Sequence, residues 1–502
     1  MKISLVKEEL ITKVKTDLLV VGVQSKKIAK DPLVAKLNSA TRGVLLRCIK
    51  DEEFTGKKGQ TLAVLAQGSI SAKYLLLVGL WSDKKESAES VSRWLGVFAG
   101  REAQKHASIA LVAPSQKDDV LRSIAEGITT GAYRYTRYFT GSRKPKQRLR
   151  KATIVVQQEP TKAAQKTVDD GARVGTLVNL ARDLVNCPAN HLSPADLAEI
   201  AAEECKKAGI SCKIYNKNAI EKLGMPLLLA VNQGSSREPR FVHMVYKPIT
   251  TDKTTPRVVF VGKGLTFDSG GLCLKPPTSM LDMKEDMSGA AVTLGIVLAA
   301  AHLKLPVEVH GLIAATDNSI GPDAYRPGDV LPSRNGKFVE VINTDAEGRM
   351  VLADALTYAG ELKPTYMVDH ATLTGSCEVA LGSYTCGLFC NNDQLARLYL
   401  QASKETGESY WRLPLASDLK DQLKSAIADL KHTGSRYGGA ITAALFLQEF
   451  VGNRRWVHLD IAGPAFLERQ HGTMPKGGTG FGVITGVRFL ESVASTAKKD
   501  AE

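Results

Sequence analysis

Three short stretches of this sequence gather groups able to do hydrolytic or metal chemistry. VGKGLTFDSGGLCLKPP, residues 261–277, carries Lys263, Asp268 and Lys275 around a Ser-Gly-Gly turn. LDMKEDMSGAA, residues 281–291, supplies Asp286 just before an apolar stretch with helical spacing. INTDAEGR, residues 342–349, supplies Asp345, Glu347 and Arg349. Brought together, these make four carboxylates, two lysines and one arginine. Four carboxylates in one partly dry cleft repel and raise each other's pKa values. Two divalent cations neutralise them formally, and an oxygen-rich set suits Mn²⁺, Mg²⁺ or Zn²⁺. HExxH and CxxC patterns are absent and no histidine lies in the three stretches, which argues against a His-rich zinc site.

Taken singly, each residue also has an ordinary explanation. Asp268 and Asp286 suit turn or helix caps. Asp345 and Glu347 suit a surface ion network with Arg349. Residue chemistry alone leaves both readings open. What favours a common site is position: each stretch falls at a strand-to-helix junction, and open α/β sheets build sites outside the carboxyl ends of their strands.

The elements that must position these residues are legible as apolar runs alternating with amphipathic stretches. Strands are expected near 239–247, 257–264, 307–317, 366–374 and 456–463, with helices over 288–303, 347–362 and 438–451. Upstream, strands are expected near 16–23, 74–81, 107–114 and 151–157, with helical spacing over 86–105 and 118–133. One long helix is expected over 161–186. Strands alternating with helices indicate α/β organisation, and 502 residues exceed one ordinary core. The expected division is a smaller N-terminal α/β domain (1–160), a linker helix (161–187) and a larger C-terminal α/β catalytic domain (188–502) with a mixed central sheet flanked by helices.

Composition narrows the class. No run of 18 apolar residues exists and the first residues lack the apolar core of a signal peptide, so a cytoplasmic protein with no membrane contact is expected. The eight cysteines show no CxxC spacing, as expected of reduced thiols. The net charge of +14 is uneven: residues 1–180 hold 32 Lys+Arg against 17 Asp+Glu, and the rest is nearly balanced. Residues 134–151, RYTRYFTGSRKPKQRLRK, hold eight basic residues and no acid. Such a run is usually a solvated face; its alternative is a surface for nucleic acid.

NTDAEGR (343–349) resembles the signature of the leucyl aminopeptidase family, the cytosol aminopeptidases of peptidase family M17. GKGLTFDSGG (262–271) with Lys275, DMSGAA (286–291), ARDLVNCPAN (181–190), ATLTG (371–375) and KGGTGFGV (476–483) look like further family blocks in the family's order. The likeness is strong over 150–502 and weak before it. It implies a metal-dependent aminopeptidase that releases N-terminal residues, preferably Leu and other apolar ones, from peptides with a free amino terminus, using a water activated by two metals. It implies two divalent ions per subunit, Mn²⁺ or Zn²⁺. Asp268, Asp345 and Glu347 would hold one; Lys263, as a neutral amine, with Asp268, Asp286 and Glu347 would hold the other. Lys275 would stabilise the oxyanion, and Arg349 would hold a bicarbonate acting as general base. Met283, Thr372 and Gly375 would line the pocket for the first side chain. A homohexamer is implied as well. An additional DNA-binding or regulatory role through the basic N-terminal domain is the alternative reading, since some bacterial members combine the two. His370 is expected to be a core histidine, GGTGFG at 477–482 lacks dinucleotide-site spacing, and replacing Asp354, a nearby acid outside the motifs, is expected to cost neither metal nor activity.

Overall fold

The computed structural model describes residues 2–8, 10–23, 28–82, 86–146, 149–251 and 254–501, with side chains up to 496. Gln147 and Arg148 of the basic run lie outside the described residues. The chain forms two compact units, residues 1–179 with 404–407 and residues 180–403 with 408–502.

The first unit holds six strands: β1 (Lys2–Lys7), β2 (Thr16–Val23), β3 (Thr61–Leu65), β4 (Ala72–Gly79), β5 (Ser108–Val112) and β6 (Lys151–Val156). Their order is β1-β6-β5-β2-β4-β3, and all neighbours are parallel except β3 and β4. The four apolar runs expected as strands are β2, β4, β5 and β6. The two edge strands were not legible, because KISLVK and TLAVL alternate buried with exposed positions over only five or six residues. Helices Ala88–Ala103 and Asp118–Gly131 supply one apolar layer, with Leu18, Val20, Leu76 and Val78 of the sheet. Helices Pro32–Ala40 and Val44–Asp51 supply the other, with Leu19, Val21, Leu75 and Leu77. Adjacent residues of one strand thus face opposite layers, which is why these strands read as continuous hydrophobic runs.

The second unit continues with β7 (Ser211–Tyr215), β8 (Arg240–Tyr246), β9 (Arg257–Asp268), β10 (Glu308–Asn318), β11 (Val330–Pro332) and β12 (Phe338–Glu340). It goes on with β13 (Tyr366–Ala371), β14 (Thr385–Cys390), β15 (Ser409–Arg412), β16 (Leu430–Lys431) and β17 (Trp456–Asp460), and ends with the short pair β18 (Phe466–Leu467) and β19 (Gly477–Gly478). Eight strands form a mixed sheet in the order β15-β14-β17-β13-β9-β10-β8-β7, while β11, β12 and β16 form a small separate one. β9 is central, parallel to β13 on one side and β10 on the other. It runs four residues past its expected end, so Lys263 and Asp268 both lie on the strand itself. Helix Ser288–His302 has almost no exposed residue, as its uniformly apolar sequence requires. Helix Glu347–Glu361 packs Met350, Val351 and Ala355 into a core with Val259, Val261 and Leu312.

The sequence pattern missed helices Pro194–Ala208 and Asp393–Thr406 and the strands β7, β14 and β15. β7 and β15 are polar edge strands with only partial burial. Asp354, the acid outside the motifs, has a structural place. It is fully buried, and its carboxylate accepts the backbone N–H groups of Leu227 (2.8 Å), Leu228 (3.2 Å) and Arg334 (2.8 Å). Two of those donors open helix Pro226–Asn232, so this acid caps a helix and anchors a turn.

Candidate metal centre

Strand geometry creates a problem for the first motif. Lys263 and Asp268 are five residues apart, so in a regular strand they face opposite sides of the sheet. The β9/β10 register shifts between Thr316 and Asp317, leaving Thr266 as the extra residue on β9. That irregularity re-phases the strand end and turns Asp268 to the side of Lys263. It also places Asn318 opposite Asp268, where its amide donates to Asp268 Oδ1 (2.8 Å).

Asp286 arrives from the helix Ser288–His302, whose start is pressed against the sheet. A Cβ on Gly289 would sit 1.9 Å from the His370 carbonyl, and one on Gly262 2.5 Å from the Gly289 carbonyl. Only glycine at both positions permits this approach. Glu347 is the first residue of helix Glu347–Glu361, where the helix dipole favours a negative charge. Gly348 leaves room for Lys263, since a Cβ there would lie 2.3 Å from the lysine Cε. Asp345 sits on the preceding tight turn, which Asn343 caps by accepting from the Asp345 N–H (2.9 Å).

These elements bring six of the seven motif residues into direct contact. The Lys263 ammonium donates to Asp286 Oδ1 (2.7 Å) and the Thr372 carbonyl (2.9 Å) and pairs with Glu347 Oε1 (2.9 Å). Lys275 pairs with Asp268 Oδ2 (2.8 Å) and Asp345 Oδ1 (2.5 Å). Oxygen atoms from Asp268, Asp286 and Glu347 lie within 4.8 Å of one another. Asp345 lies outside that trio and joins through Lys275. Arg349 is buried, donates from Nη1 to the His432 carbonyl (2.7 Å) and has no partner for Nε among the described residues.

The electrostatics are those of crowded, buried acids. Burial, with Glu347 and Asp286, holds the Asp268 carboxyl well above the usual range. Burial pushes Asp286 up to about 6 against the pull of Lys263. Asp345 is raised by burial against Lys275. Glu347 goes the other way, because Lys263 and Lys275 outweigh its burial. Burial opposes the Lys263 ammonium, but Asp286, Glu347 and Asp268 outweigh it and raise its pKa; Lys275 behaves alike. Burial draws Arg349 down to about 10.

Four carboxylates against two lysines and Arg349 still leave a formal excess of one negative charge. Asp286 Oδ2 and Glu347 Oε2 are buried and accept no hydrogen bond among the described residues. A buried carboxylate oxygen without a donor costs free energy unless a cation meets it. This donor set, all oxygens with a lysine nitrogen, fits a divalent metal.

The residues expected to line a substrate pocket separate. The Thr372 hydroxyl donates to Asp286 Oδ1 (2.8 Å) and so orients a carboxylate. Met283 is half-buried on the tight turn just before Asp286. Gly375 opens helix Gly375–Leu381 at an exposed position, where an added Cβ would meet nothing within 4 Å. Sequence reasoning missed the supporting layer. Asn318 also donates to the Thr344 carbonyl (2.9 Å), which accepts the Tyr325 hydroxyl as well (2.7 Å). Thr344 donates to the Gly270 carbonyl (2.6 Å) and accepts from the Cys273 N–H (2.8 Å), tying the two acidic loops together. Thr344 lies inside NTDAEGR and was available as a signal; Asn318 and Tyr325 carried none. His370 is fully buried, with Nε2 at 3.1 Å from the Tyr399 hydroxyl.

Comparison with known proteins converges on one family. A sequence profile described as "Cytosol aminopeptidase family, catalytic domain" matches residues 179–487, and that family's N-terminal domain matches 20–142. A probable cytosol aminopeptidase of Aquifex aeolicus is 42% identical over 472 residues, spanning 92% of this chain and 93% of the relative. One from Persephonella marina is 41% identical over 469 residues, 91% and 93% of the two chains. Among solved structures, a lysine-to-glutamate variant of tomato leucine aminopeptidase superposes with a TM-score of 0.87 at 35% identity, covering 97% of this chain and 96% of the other. The bottromycin maturation enzyme BotP in complex with Mn superposes with a TM-score of 0.83 at 34% identity, covering 95% and 100%.

Proposed function

Given that the chain belongs to the cytosol aminopeptidase family and is a metal-dependent peptidase, we propose that it removes single residues, preferably Leu and other apolar ones, from free amino termini, with two divalent ions per subunit. The observation that carries this reading is the buried excess of carboxylate, two of whose oxygens meet no donor among the described residues. Asp268, Asp345 and Glu347 would hold one ion. Lys263, Asp268, Asp286 and Glu347 would hold the other, Lys263 as a neutral amine, a form that nearby dications favour. The ions, Mn²⁺ or Zn²⁺, supply electrophilic polarisation and a more acidic water.

The chain's own groups do the rest. Lys275, fixed by Asp268 and Asp345, offers a positive charge to an oxyanion. Arg349, whose Nε–H has no partner among the described residues, suits a small anion such as bicarbonate. Thr372 orients Asp286. Met283 and the open space at Gly375 suit a broad apolar side chain. In this reading residues 188–502 carry the chemistry, 161–187 connect, and the protein works as a cytoplasmic homohexamer. Among the described residues no helix is long and apolar enough to cross a membrane, and the eight cysteines form no disulfide.

The test is metal analysis of the purified protein beside hydrolysis of Leu-p-nitroanilide and its N-acetyl derivative, with and without chelator. Chelation abolishes activity, Mn²⁺ restores it, and the acetylated substrate is nearly inert because its nitrogen no longer has a lone pair to donate. Full activity in metal-free protein, or equal cleavage of both substrates, contradicts the reading.

A second reading has one observation behind it. The seven described basic residues of 134–151 are all exposed, and Arg137 and Arg143 lie over the rings of Tyr138 (5.7 Å) and Phe139 (5.5 Å). Cations with interleaved aromatics suit a nucleic-acid surface, so DNA binding is kept as an additional activity.

A further inference from the structure

The first unit contains a cavity of about 330 Å³, large enough for a small metabolite. Its walls are the end of helix Ala88–Ala103, helix Asp118–Gly131, part of the basic run and helix Lys162–Asn186. Arg134 and Lys146 line it, and among the described residues no acid does. Neither cation is ion-paired among the described residues. A dianion there would be neutralised without displacing an existing partner.

The neutral lining is equally specific. Thr129, Thr136 and Thr176 contribute hydroxyls. Those of Thr129 and Thr176 donate back into their own helices, to Ala125 and Ala172 carbonyls (2.9 Å each), so their oxygens remain acceptors. Gln104 also lines the cavity, its amide nitrogen 3.4 Å from both the Gly131 and Tyr133 carbonyls. These groups suit a ligand rich in hydroxyls. Pro145 and Leu149 add a little apolar surface, and no aromatic ring is present to stack a nucleobase.

We propose that this cavity binds a sugar or polyol phosphate, its phosphate taken by Arg134 and Lys146 and its hydroxyls by the threonines and Gln104. The inference does not depend on the metal centre. Calorimetric titration of the intact, metal-loaded protein with ribose 5-phosphate and glycerol 3-phosphate tests it, with ribose, glycerol, inorganic phosphate and a short DNA duplex as parallel arms. Saturable binding of an ester is expected, at least about tenfold tighter than inorganic phosphate or the parent polyol. Removing both cations (Arg134→Ala with Lys146→Ala) weakens it by about tenfold per charge-assisted hydrogen bond to the phosphate. Thr176→Ala weakens ester binding a few-fold and leaves inorganic phosphate unchanged. Leu-peptide hydrolysis, unchanged in all variants, reports that they fold. The proposal is overturned by no saturation with either ester up to about 10 mM, by an ester binding no better than inorganic phosphate, or by binding of the duplex alone.

Discussion

Two regions of this molecule concentrate charge, and they differ in what surrounds it. The metal-centre motifs place seven charged side chains together; five are buried, and six contact one another. The basic run places eight cations together, and the seven described ones are all exposed. Taking an ion out of water costs several kcal/mol, so a buried cluster with an unbalanced charge implies a compensating ligand. An exposed charge costs almost nothing and a surface pair is worth about 0–1 kcal/mol, so its presence says little about what it meets. The contrast breaks if the buried cluster proves dispensable or the exposed one proves selective.

The largest effect is expected at the shared ligands. Asp268→Ala and Glu347→Ala each lose metal and activity together, by more than the ~10²-fold that even an outer-shell partner can cost. Metal analysis beside turnover measures both; a variant that keeps its metal yet is inactive would reassign the residue. Next comes Lys275→Ala. Loss of one oxyanion donor lowers turnover by about 10²–10³. Because Lys275 also pairs with Asp268 and Asp345, the metal content of this variant separates its two roles. Retained metal with slow turnover supports the oxyanion assignment, while lost metal makes Lys275 a structural counter-ion. Arg349→Ala falls less than Lys275→Ala, since it acts through an exchangeable anion.

Asp354 sharpens the comparison from the structural side, being buried yet outside the centre. Asp354→Ala leaves three backbone N–H groups without an acceptor and costs roughly 2–4 kcal/mol of stability, with metal content unchanged. Its pH dependence has a definite sign. Burial pushes its carboxyl up to about 7 against the pull of three backbone N–H groups, from an ordinary value of 3.8. The folded state therefore binds a proton more tightly than the unfolded one. The stability this adds is full below about 4 and drains away as pH rises through about 7. Denaturant titrations of wild type and Asp354→Asn between these limits check it: the difference between them should change across that window and be flat above it.

What was legible in the sequence follows the same physics. Strands covered on both faces, β2, β4, β9 and β10, read as apolar runs, and the motif acids stood out because they fall at the strand-to-helix junctions where those runs end. Edge strands such as β1 and β7 bury too few positions to show a pattern. The extension of β9 to Asp268 was hidden because the β9/β10 irregularity is a pairing property, absent from either strand alone. Asn318, Tyr325 and the capping role of Asp354 were invisible for a related reason. Each acts through a backbone group or side chain brought close only by the fold.

The smallest expected effect belongs to the basic run. The five exposed cations of the run that do not line the cavity, Arg137, Arg143, Lys144, Arg150 and Lys151, cost little to keep, so solubility alone accounts for them, and DNA binding must be demonstrated against that background. Phosphate contact has a distinctive signature: the logarithm of affinity falls with the logarithm of salt by about 0.9 for each phosphate neutralised. Changing Arg137, Arg143, Lys144 and Arg150 to Ser leaves the cavity-lining Arg134 and Lys146 in place. If all four meet phosphates, the slope on a DNA duplex becomes shallower by about 3–4. Six copies in a hexamer would magnify a weak contact by avidity without altering that sign. Peptide hydrolysis stays at the wild-type level, because none of the four is among the residues assigned to the metal centre. A shallow slope in wild type, or the same slope in both proteins, leaves the cations outside the cavity as a solvated face. The buried cluster's charge would then be explained by a ligand, and that of these exposed cations by solvation.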